Sequence, residues 1–80
     1  MVNTVYLIKK TADFPFSEII EEDDVLILIQ DAVIRQPATE NWYACKEDAV
    51  ARGIKIQENR LIDYGEILNL IDKANKVVVW

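Results

Sequence analysis

Apolar positions along the chain fall into short blocks separated by polar turns, and the blocks alternate between strand-like and helix-like spacing. Val2 to Ile8 is rich in β-branched and aromatic residues and predicts a first strand. Lys9 to Ala12 is a polar turn. Phe14 to Ile20 predicts a short helix, with Pro15 suited to its first position and Phe16, Ile19 and Ile20 sharing one face. Glu21 to Asp24 is expected as a solvated turn. Val25 to Ile29 is an unbroken apolar run, the mark of a strand buried on both faces. Asp31 is placed to cap a short helix through Ala32 to Arg35, which Pro37 stops.

The second half repeats the alternation. Trp42 to Cys45 predicts a third strand, Lys46 to Arg52 a brief helix, and Gly53 its left-handed terminator. Ile54 to Ile62 holds a turn and a short fourth strand. Asp63 caps a longer helix whose stripe is Tyr64, Ile67, Leu68, Ile71 and Ala74. Val77 to Trp80 predicts a final strand. Connections too long for hairpins imply parallel strands with helical crossovers. The expected fold is therefore α/β, three layers around a mostly parallel five-stranded sheet, in a single domain over residues 1–80. Three short helices and one longer one barely cover two faces, so an exposed edge or face closed by another subunit is expected.

Size and charge narrow the function. A chain of 80 residues hides only roughly 60% of the surface of its unfolded form. Its stability is on the order of 4–12 kcal/mol. A substrate pocket of a few hundred Å3 would consume much of such a core, which argues against a self-contained enzyme. A net charge of −5 without a basic cluster is the wrong footprint for direct nucleic-acid binding. No apolar run is long enough for a membrane helix. The first residues carry no basic region ahead of an apolar stretch, and a single cysteine suits a reducing compartment, so a cytoplasmic location is expected. With no histidine and one cysteine, a zinc site is essentially excluded and a Ser-His-Asp triad is impossible, and no cofactor is called for. Two glycines cannot form a phosphate-cradling dinucleotide loop. The acidic pair that a receiver-type phosphorylation module needs after its first strand is also missing.

Several segments, taken in order, resemble the TusB/DsrH family of small sulfur-relay subunits. They are Leu28-Ile29-Gln30-Asp31-Ala32-Val33, Tyr43-Ala44, Glu47-Asp48, Ala51-Arg52-Gly53, Ile62-Asp63-Tyr64 and the terminal Trp80. Ala32 stands where that family usually has Gly, and Asn3 and Tyr6 where histidines are common. The resemblance implies a DsrEFH-like α/β/α fold and work inside an assembly. Such complexes pass persulfide sulfur toward the 2-thio group of the tRNA wobble uridine, or serve dissimilatory sulfur metabolism. The implied partners are sister DsrE/DsrF-like (TusD/TusC-like) subunits or further copies of the chain, with sulfur donor and acceptor proteins beyond them. Contact with tRNA would be indirect, no membrane is involved, and the subunit alone would lack complete catalytic activity.

Cys45 is the one candidate for chemistry. It ends the third strand where a helix begins, and a helix N-terminus together with Lys46 favours thiolate, the form that accepts or donates sulfane sulfur. Glu47 and Asp48 oppose this, because like charge raises a thiol pKa. Cys45 followed by Arg52-Gly53 also resembles the Cys-to-Arg-Gly pattern of the TusD/DsrE-type catalytic subunits. The competing reading is a small buried core residue. Trp42 and Trp80, at strand ends, are candidate interface anchors. Tyr43 and Tyr64 are expected to pack partly inside. The acids Glu18, Glu21, Glu22, Asp23 and Asp24 read as a solvated run rather than a metal site, and Arg52 as a solvated cation.

Overall fold

A computed structural model describes residues 3–9, 23–35 and 41–79. The expected helix at Phe14–Ile20, most of the acidic run, Pro37 and Trp80 lie outside the described residues. Five strands form one parallel sheet: β1 (Thr4–Ile8), β2 (Val25–Leu28), β3 (Trp42–Cys45), β4 (Leu61–Ile62) and β5 (Lys76–Val79). Helix α1 spans Lys46–Ala51 and α2 spans Tyr64–Lys73. Gln30–Arg35 and Glu58–Arg60 are 3-10 turns. The strand order is β4-β3-β2-β1-β5, so the sheet and its parallel sense are as the alternation implied.

That order assigns the layers. From β1 to β4 the chain steps steadily one way, and for β5 it returns to the far side of β1. Parallel crossovers are right-handed, so reversing direction moves the intervening helix to the opposite face. The two apolar clusters follow this division. Tyr6, Ile8, Leu26, Leu28 and Ala44 face Ala32, Val33 and Ala49 from the 3-10 turn and α1. Val5, Ile27, Cys45 and Ile62 face Ile67 of α2. Alternate residues of each strand thus serve opposite faces, and Leu26, Ile27 and Leu28 are all fully buried, as a run without polar interruption requires.

Among the described residues, α2 alone covers the second face. Its N-cap is Asp63, whose carboxylate accepts from the Glu66 amide at 2.8 Å. The buried side is turned slightly from the expected stripe. Ile67, Leu70, Ile71 and Ala74 pack toward the sheet, while Tyr64 and Leu68 are 51% and 65% exposed. Beyond the C-cap Arg52 of α1 lies Gly53, whose φ of +65° is a left-handed conformation that glycine takes without strain.

Two acids depart from their expected roles. Asp24 is 2% exposed rather than solvated. Its Oδ1 accepts from the Thr4 amide at 3.2 Å and from Asn3 Nδ2 at 3.4 Å, and its carbonyl accepts from Asn41 Nδ2 at 2.9 Å. It fastens the N-terminal ends of β1, β2 and β3, a task that rewards burial because each contact satisfies an otherwise open polar group. Asp31 lies inside the 3-10 turn rather than ahead of it at a cap position. It accepts instead from Arg52 Nε at 3.1 Å. Arg52 is therefore not simply solvated: Asp31 and Asp48, both of this chain, hold it.

Candidate functional site at the end of strand β3

The carboxyl ends of β2, β3 and β4 come together around Asp48, in the first turn of α1. Its Oδ2 accepts from the Gln30 amide at 2.7 Å. Its Oδ1 accepts from the Tyr64 hydroxyl at 3.2 Å and lies 3.8 Å from Arg52. Gln30 has a φ of +51°, the described non-glycine residue with a left-handed backbone. That conformation is disfavoured for a side chain with a Cβ, and the short charge-assisted bond to Asp48 offsets it. Asp48 thus joins the turn after β2 to the start of α2.

Cys45 sits beneath this junction as the N-cap residue of α1, fully buried. Its Sγ donates to Glu47 Oε1 at 3.7 Å, and the other oxygen of that carboxylate accepts from the Tyr64 amide at 3.4 Å. The opposing influences on the thiol resolve in one direction. Burial raises its pKa above the ordinary 9.0, the Asp48 charge adds to the rise, and hydrogen bonds from the Asp48 and Glu47 amides only partly offset it. At neutral pH Cys45 is a buried, protonated thiol. The tyrosine above it is also shifted upward, chiefly by the charge of Asp48.

The remaining singled-out residues are dispersed. Trp42 is half-buried against the α1-side cluster and Tyr43 against the α2-side cluster, as alternation along one strand demands. Tyr64 is half-exposed, and its hydroxyl reaches across to Asp48. In the sequence Asp48 stands out as a charge beside Cys45 and as part of a family-like segment, not as a joint. Its role as a joint depends on a backbone amide and a hydroxyl from distant segments, which no local pattern announces. No group of three or more His, Cys, Asp or Glu side chains suited to a metal ion occurs among the described residues.

The described residues thus form a parallel α/β sheet with a buried thiol at a strand-to-helix junction. The chain belongs to the DsrH-like family: the profile described as "DsrH like protein" matches residues 11–77. It is similar to a curated protein named "Protein TusB" from Buchnera aphidicola subsp. Schizaphis graminum (strain Sg), with 36% identity over 80 residues, covering 92% of this chain and 80% of the relative. No solved structure matches significantly.

Proposed function

We propose that the chain is a subunit of a sulfur-relay complex acting in tRNA wobble-uridine 2-thiolation, assembled with sister DsrE/DsrF-like (TusD/TusC-like) subunits. The observation that carries this reading is the likeness to a TusB protein over 92% of the chain. Among the described residues α2 alone covers the second face, and this supports it, since a partner surface can complete such a face. On sequence grounds Trp42 and Trp80 are the interface anchors. The acidic balance of −5 leaves the tRNA to other subunits. Co-purification from the native host tests the assembly. Recovery of both sister subunits is expected, and recovery of the chain alone would overturn the reading.

Cys45 is the candidate persulfide carrier. Its thiolate would attack the sulfane sulfur of a donor persulfide, forming a new S–S bond while the donor thiolate leaves, with no external oxidant. The full burial of Cys45 and its raised pKa favour a second reading, a subunit that contributes structure and no chemistry. Intact mass after exposure to a persulfide donor, with and without the sister subunits, separates the two. Gain of one sulfur that Cys45→Ala abolishes establishes the carrier; no gain in either state leaves the structural subunit.

A further inference from the structure

We infer that the pocket beside α2 is a socket for an arginine side chain presented by a partner subunit; this rests on the subunit reading above. The pocket has a volume of about 410 Å3 and is lined by Val25, Tyr43, Ile62, Glu66, Asn69 and Leu70. Its origin is geometric. Among the described residues one helix, α2, packs on this face, through Ile67, Leu70, Ile71 and Ala74. Glu66, Asn69 and Leu70, at i, i+3 and i+4, then form one wall, opposite a row of residues from β2, β3 and β4.

The lining states the chemistry of the occupant. Val25, Ile62 and Leu70 give an apolar floor. Glu66, Asn69 and Tyr43 complete the lining, and no lysine or arginine among the described residues lines the pocket. None of these three side chains makes a hydrogen bond or ion pair among the described residues. A lining that mixes apolar residues with a few polar ones is the usual anatomy of a binding site. An aliphatic stem ending in a planar guanidinium matches every part. The stem covers the floor, the fork pairs with the carboxylate and the amide oxygen, and the flat cation stacks on the tyrosine. A lysine supplies charge but not the planar fork. Glu66 and Asn69 are exposed, so the trough is open to a side chain offered from a protein surface. A second copy is a poor occupant, because each chain carries a net charge of −5.

The test is an NMR titration of the isotope-labelled full chain with N-acetyl-arginine methylamide, beside its norleucine counterpart. The arginine probe should shift the amides of Tyr43, Ile62, Glu66 and Asn69 saturably, at about tenfold lower concentration than norleucine, the factor one charge-assisted bond supplies. Glu66→Gln is on the surface and should erase that preference without altering the rest of the spectrum. Equal titration by both probes, or an unchanged preference in Glu66→Gln, overturns the socket. In the reconstituted complex, Glu66→Arg should weaken association by at least about tenfold. Unchanged association overturns the socket alone, whereas wild-type chain that binds no sister subunit overturns the subunit reading.

Discussion

The Tyr64 hydroxyl donates to Asp48 Oδ1 at 3.2 Å, linking the first turn of α2 to the first turn of α1. The same carboxylate receives the Gln30 amide at 2.7 Å. Asp48→Ala removes both acceptors at once and leaves Gln30 in a left-handed conformation with nothing to hold it. Loss of about 1–3 kcal/mol is expected in urea unfolding. Asp48→Asn, which keeps an acceptor, should lose less.

The raised Cys45 pKa fixes a pH dependence. The native state keeps the thiol proton while the unfolded chain releases it near the ordinary 9.0. Its contribution is therefore complete below that value and fades as pH rises through the folded pKa. Tyr64 acts in the same direction from its ordinary 10.0. Urea midpoints should fall above pH 9, and more shallowly in Cys45→Ala; superimposable slopes for the two proteins would remove the assignment to this thiol.

The same burial sets reactivity. In the folded isolated chain, Cys45 should react with iodoacetamide at neutral pH far more slowly than in urea, because reaction needs both exposure and thiolate. Equal rates would mean that the thiol is open in the native state.

Asp63 is the cap of the helix that covers the second face. Asp63→Ala strands the Glu66 amide and should cost about 1 kcal/mol. The loss should appear in the urea midpoint together with a small fall in helical circular dichroism.

Gly53 offers a clean conformational test. A Cβ added there meets nothing within 4 Å, so Gly53→Ala introduces no clash and only the strain of φ +65°. About 1 kcal/mol of destabilisation is expected, and less for Gly53→Asn, which tolerates the left-handed region.

Local periodicity revealed the skeleton because each strand and helix here carries its own signal. Val25 to Leu28 could be read as doubly buried from the absence of any polar residue, and Asp63 as a cap from its place before an amphipathic run. The errors share a cause. Asp24, Asp31 and Arg52 were read from their neighbours in sequence, whereas their partners lie 20, 21 and 21 residues away. Leu68 fits the helical stripe by spacing but projects outward, because the axis of α2 is set by how Ile67 and Leu70 seat on the sheet. The Cys45 position was legible, and its protonation was not, since that balance depends on burial as well as on adjacent charge.

The sheet order has a consequence for biosynthesis. β1 is an interior strand whose outer neighbour, β5, pairs Val5 with Val77 and Tyr6 with Val78. Until Lys76–Val79 docks, one flank of β1 presents free amides and carbonyls. A chain in which β5 has not yet docked thus carries an adhesive flank on β1. During that interval the segment Thr4–Ile8 is the place where mispairing with other chains would begin, and where a holding chaperone would be most useful.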